Sequence, residues 1–166
     1  MADASPSGPD TAAREALYQE LILTHYRRPH GKGRLPHPDG EATARNPLCG
    51  EDVTVSVTLD RGTGDNVQLS EIRFTGQGCA ISQASASMMT DLAVGRSPGQ
   101  LSALEGRLRA LLHGDPAAAT DETLGPLRAL SGIARVPARL PCALLPWEAL
   151  RLAVQQATSS GHSPER

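Results

Sequence analysis

The stretch DVTVSVTLDRGTGDNVQLSEIRFTGQGCAISQASASMMT, residues 52–90, changes its period partway along, and that change decides the fold class. In 52–60, Val53, Val55, Val57 and Leu59 alternate with Thr54, Ser56 and Thr58, which predicts a half-buried strand. RGTGDN (61–66) supplies a turn, and VQLSEIRFTG (67–76) returns with weaker alternation to complete a hairpin. After GQGCA (76–80) the period becomes helical. Ala84, Met88 and Leu92 recur at i,i+4, and Gly95 is a C-terminal stop.

The flanks extend this pattern. TAAREALYQELILTHYRR (11–28) predicts a helix with Leu17/Leu21 and Tyr18/Ile22/Tyr26 at i,i+4, stopped by Pro29. Residues 29–47, rich in Gly and Pro, read as loop or edge strand. Ser97-Pro98 starts a helix carrying Leu101, Leu104, Leu108 and Leu111, and a short helical piece follows near 121–131. WEALRLAVQQAT (147–158) predicts a last helix whose apolar face is Trp147, Leu150 and Val154. Helix, antiparallel strands, then helices is an α+β order: a small antiparallel β-sheet of about three strands packed against several α-helices. Residues 1–12 and 159–166 read as disordered tails around a domain at 13–158.

At 166 residues and a formal net charge of −2, with no basic block, the chain lacks the electrostatic footprint of a nucleic-acid binder. No apolar run is long enough to span a bilayer, so no membrane role is expected. MADASPSGPDT (1–11) has no apolar core resembling a signal peptide, which points to the cytoplasm. Tyr18, Tyr26, Phe74 and Trp147 are the only aromatic residues, so the core must be built from Leu, Val, Ile, Ala and Met, and base stacking has little material.

The chain has three cysteines, an odd number that argues against a disulfide framework. They read as buried small apolar residues, reactive thiols or metal ligands. Each is expected at a junction: Cys49 before a strand, Cys79 between a strand and a helix, Cys142 just before the last helix. Junction loops at one end of a layered domain can converge. Cys79 would also meet the positive end of a helix, which favours a thiolate, and the glycines of TGQGC allow close backbone approach. Three thiolates and a carboxylate make a four-coordinate set suited to zinc, although the spacing is unlike a C-x-x-C ribbon.

LYQELILTHYRRPHGKG (17–33), NPLCGED (46–52), GCAISQASASMMT (78–90) and PARLPCALLPWEAL (137–150) together resemble the SufU family, within the wider IscU/NifU-like group of iron–sulfur assembly proteins. The resemblance implies a SufU/IscU-like fold. It also implies Zn2+ held by three cysteines and an acid, and a sulfurtransferase that accepts persulfide sulfur from a SufS-type cysteine desulfurase, upstream of the iron–sulfur assembly machinery. An IscU-type scaffold carrying a transient iron–sulfur cluster, and a non-catalytic zinc-stabilised adaptor, are the alternatives. Pro141 stands where IscU-like scaffolds carry histidine, the segment between Cys79 and Cys142 is long, and ARLPC lacks the LPPVK signal; all three favour the SufU branch.

Carried over by position, Cys49, Cys79 and Cys142 match the family cysteines, and Arg139 matches an arginine near the site. The family's Cys-Gly-Asp reads Cys-Gly-Glu-Asp here, so Glu51 takes the place of the acidic ligand. Strand alternation favours Glu51 over Asp52, unless a bulge at Gly50 turns Asp52 inward. In the family the partner supplies a histidine that frees the cysteine matching Cys49. Cys49 is then the sulfur acceptor, with Arg139 steadying the anionic sulfur and Cys79 and Cys142 as structural ligands. Pro146 is expected to delay the last helix and alter how Cys142 reaches the metal. Met88 and Met89 read as packing, His25 as a cap or packing residue of the first helix, and His30, His37, His113 and His162 as solvated.

Overall fold

A computed structural model describes residues 9–62 and 66–161. The order is α1 (Pro9–Arg27), β1 (Gly40–Asn46), β2 (Glu51–Arg61), β3 (Val67–Gln77), α2 (Ala80–Ala93), α3 (Pro98–Leu112) and a short α4 (Pro116–Ala119). Two 3-10 segments, Glu122–Arg135 and Pro137–Arg139, lead into α5 (Leu140–Gly161). This is the expected α+β architecture. Residues 1–8 and 162–166, the tip of the predicted turn at 63–65, and His162 lie outside the described residues. α1 begins at Pro9 and α5 continues to Gly161, so both helices run into segments expected to be tails.

The sheet is antiparallel with β2 in the centre, in the order β1-β2-β3. Val53, Val55 and Val57 are fully buried, as their alternation requires, and α5 packs against β1 and β2. Ser56, expected on the open face, is buried as well, because its hydroxyl accepts the Leu35 N–H at 3.1 Å from the segment before β1. The weak alternation of the third strand has a cause. A β-bulge between Thr58 and Leu59 pairs Thr58 with Glu71 and Leu59 with Leu69, leaving Ser70 over. Leu69, Ile72 and Phe74 therefore all reach the core without a strict two-residue period.

α2 lies against α1, α5 and β3, and it is buried almost all round: Met88 and Met89 are both inaccessible, as expected of packing residues. In α1, Tyr18, Leu21 and Ile22 pack on the core, but Leu17 is 65% exposed and Tyr26 46%, because α1 covers the core with one narrow face only. His25 is a buried packing residue; burial first, then the adjacent His30, hold its imidazole below the usual range against the opposing pull of Asp91. α3 carries the predicted start as a capping box, with Ser97 accepting the Gln100 N–H and Gln100 accepting the Ser97 N–H.

The last helix corrects the expectation about Pro146. α5 starts at Leu140, so Cys142 lies inside its first turn and Pro146 is buried within it. Pro141 needs no N–H partner in a first turn, and Pro146 removes only the bond that would end on the Cys142 carbonyl. Packing offsets that loss. Ser85 of α2 donates to the Ala143 carbonyl at 2.7 Å and accepts the Trp147 indole N–H at 3.2 Å. Among the described residues, no helix is long and apolar enough to cross a membrane.

The β1–α5 contact is close enough to test. A Cβ on Gly40 would collide with the Ala153 carbonyl oxygen and come within 2.9 Å of the Ala157 amide nitrogen. Gly40→Ala is therefore expected to lower stability by about 1–3 kcal/mol, read as a lower denaturation midpoint at unchanged slope.

Candidate metal centre

The three cysteines converge from three junctions. Cys49 is at the tip of the β1–β2 hairpin, where its N–H donates to the Asn46 carbonyl at 3.2 Å and the following Gly50 adopts φ 66°. That left-handed turn lets β2 begin at Glu51. Cys79 is the N-cap of α2. Cys142 enters from the first turn of α5, three residues after the 3-10 turn Pro137–Arg139 has re-aimed the chain. Cys49 is exposed, Cys79 half-buried and Cys142 buried.

Donor atoms of Cys49, Glu51 and Cys142 lie within 4.8 Å of one another. The Cys79 thiol lies beside both the Glu51 carboxylate and the Cys142 thiol. The four residues, with Gly78, Ala138 and Arg139, line one open cavity of about 380 Å³. Arg139 is exposed at its edge. Asp52 is not part of the group. Strand register is unbroken from Asn46↔Glu51 to Gly40↔Val57, so there is no bulge at Gly50 and Asp52 stays on the opposite face from Glu51.

Glu51 is 4% exposed. Its Oε2 accepts the Cys79 backbone N–H at 2.9 Å and a longer bond from the Ser82 hydroxyl at 3.5 Å. Burial alone would raise its pKa. The Cys79 N–H, the Cys79 and Cys142 thiols and the Ser82 hydroxyl outweigh that and hold the carboxyl below the usual carboxylate range. Oε1, in contrast, is buried with no hydrogen-bond partner among the described residues. Burial, then the neighbouring Cys79 and Glu51, push the Cys142 thiol up to about 12.

These observations bear on whether a metal ion fits. A buried carboxylate with one unpartnered oxygen, set beside thiols, would be matched by a cation held by Cys49, Glu51, Cys79 and Cys142, which would keep the thiols deprotonated. A sulfur-rich set with one oxygen suits zinc, and sulfur-rich sets also suit iron–sulfur clusters. Among the described residues, no histidine lines the cavity. Ser82, which supports Glu51 from one turn into α2, carries no signal of that role in the sequence. The glycines of TGQGC do. A Cβ on Gly78 would collide with the Ser82 hydroxyl and approach the Glu51 carboxylate to 3.2 Å, so the bare backbone there lets Glu51 in.

Comparison with known proteins identifies the family. Residues 17–106 match the family model of the NifU-like N-terminal domain. The chain is 34% identical over 148 residues to the iron–sulfur cluster assembly scaffold protein IscU of Streptococcus pyogenes, covering 88% of this chain and 87% of the relative. It is also 34% identical over 142 residues to the zinc-dependent sulfurtransferase SufU of Bacillus subtilis, covering 84% and 90%. The crystal structure of the N-terminal part of a nitrogen-fixing NifU-like protein from Brucella abortus superposes with a TM-score of 0.75 at 24% identity, over 87% of this chain and 96% of that one, and shows the same fold. The chain belongs to the NifU-like N-terminal domain family, in its IscU–SufU group.

Proposed function

We propose that this protein is a zinc-dependent sulfur acceptor in iron–sulfur cluster assembly, with Cys49 receiving persulfide sulfur from a SufS-type cysteine desulfurase. The observation that carries this reading is the difference in burial among the four donors. Glu51 and Cys142 are buried, whereas Cys49 is exposed at a hairpin tip where a partner can reach it. Pro141 next to Cys142, and a cavity whose described lining holds no histidine, support a three-thiolate, one-carboxylate zinc site over a scaffold.

Cys49, Glu51, Cys79 and Cys142 would hold the zinc ion, which when bound keeps the thiols deprotonated at neutral pH. Release of Cys49 from the site leaves a nucleophilic thiolate. Its Sγ attacks the outer sulfur of the desulfurase persulfide, and the bond from that sulfur to the desulfurase cysteine breaks. Cys49 becomes the persulfide and the desulfurase cysteine leaves as a thiolate, with no net oxidation. Arg139, at the cavity edge, offers a cation to the terminal sulfur. Leu48, 93% exposed beside Cys49, and Val136, 47% exposed before the 3-10 turn, offer apolar contacts to the partner.

Two measurements test this. Glu51→Gln should weaken zinc retention roughly 100-fold, as loss of a metal-binding group does at the upper end of supporting-residue effects, while Asp52→Asn should keep the ion. Loss of zinc from Asp52→Asn alone would place the acid wrongly. In the second, the zinc-loaded chain should raise turnover of a SufS-type desulfurase, and Cys49→Ser should abolish both that rise and the mass increase of one sulfur on this chain. Equal stimulation by Cys49→Ser would leave an adaptor. A cluster chromophore on the isolated protein in place of zinc would favour the scaffold.

A further inference from the structure

A second group of metal-ligating side chains comes together away from the thiols. His25 stands in the last turn of α1, His30 in the segment that follows, and Asp91 in the last turn of α2. One ring nitrogen of each histidine and one carboxylate oxygen of Asp91 lie within 4.8 Å of one another. At a rise of 1.5 Å per residue, the Ser87–Asp91 turn is about 12–18 Å along α2 from Cys79, so this group is separate from the cysteine site.

His30 was expected to be solvated, and its side chain is 56% exposed, yet its position is fixed from both sides. Its backbone N–H donates to the Ser87 hydroxyl at 2.8 Å, and its carbonyl accepts the Thr90 hydroxyl at 3.1 Å. Gly31 follows with φ 73°, and any Cβ there would meet the Thr90 side chain at 2.6–2.7 Å, so only glycine allows this approach to α2. The Ser87 hydroxyl also bonds Nδ1 of the buried His25 at 2.6 Å, and His30 Nδ1 reaches Asp91 at 2.7 Å.

An exposed His–Asp pair contributes little to stability, and fixing a ring that remains more than half exposed gains little from packing. The same arrangement is what a metal site requires. Two imidazoles and a carboxylate come from three different parts of the chain, and one ring is held by a hydroxyl that can accept its N–H when the other nitrogen binds an ion. Beside them is a cleft of about 300 Å³ whose lining includes His30, Asp91, Glu71 and Arg73, open to an ion from solution. We propose that His25, His30 and Asp91 form a second cation site for a borderline first-row divalent ion, of the kind that includes zinc and ferrous iron. Mixed nitrogen and oxygen donors select that class over magnesium and calcium, which prefer oxygen alone.

Cobalt(II) titration of the metal-stripped full chain separates the two sites by colour. A thiolate site gives intense sulfur-to-cobalt charge-transfer bands, and a nitrogen–oxygen site gives weak visible bands without them. The wild type should bind two equivalents, one with the charge-transfer bands and one without. His30→Asn and Asp91→Asn should each lose the second equivalent and keep the first, whose bands also report that the variant is folded. Cys142→Ser should do the reverse, so failure of the cysteine site cannot be mistaken for failure of this one. A wild type that binds no equivalent lacking charge-transfer bands would overturn the proposal. So would a second equivalent retained by both His30→Asn and Asp91→Asn.

Discussion

A carboxylate that is 4% exposed must be matched by donors or by a cation, and among the described residues Glu51 has donors for one of its two oxygens only. Oxygen Oε2 takes the Cys79 N–H at 2.9 Å and so ties the first residue of β2 to the first free amide of α2. Oxygen Oε1 has no hydrogen-bond partner among the described residues, in a carboxylate that lies beside the site thiols. The site follows from this constraint. β2 presents the acid, α2 partly neutralises it with its N-terminal amide, and α5 brings Cys142 against it in its own first turn. In a buried setting the negative charge that remains calls for a positive ion.

The rest of the fold holds those three junctions in place. Alternation along β2 buries Val53, Val55 and Val57 and, by the same two-residue period, points Glu51 inward and Asp52 away. α5 is clamped to β1 through Gly40 and to α2 through Ser85, which satisfies both the Ala143 carbonyl near Pro146 and the Trp147 indole. Cys142 is thereby fixed at the buried end of the site, while Cys49, on a four-residue hairpin loop opened by Gly50, stays exposed. A rigid buried half and an accessible thiol suit a site that retains an ion while one sulfur reacts.

Much of this could be read from the residues. The valine alternation of 52–60, the change of period after Cys79 and the Ser97-Pro98 start each encode a local preference, and each was found where it was expected. The convergence of Cys49, Glu51, Cys79 and Cys142 was expected from the family resemblance together with their junction positions, and the choice of Glu51 over Asp52 from strand period. What escaped depends on partners distant in the chain. Proline propensity argued that Pro146 would delay α5, but burial of Trp147 and the Ser85 bonds override a single missing hydrogen bond. The bulge at Ser70 hid the period of β3. His30 is exposed as expected, but nothing local shows that Ser87 and Thr90, 57 and 60 residues later, hold its backbone.

The central claim is that Glu51 completes a three-thiolate site through the oxygen now lacking a partner. Zinc-edge anomalous diffraction from crystals of the chain loaded with one equivalent of zinc tests it most directly. The account predicts an ion bound by Cys49, Cys79 and Cys142, with a Glu51 carboxylate oxygen as fourth ligand at about 2.0–2.2 Å. A zinc ion whose fourth ligand is Asp52, a histidine or water, with Glu51 turned away, would contradict it.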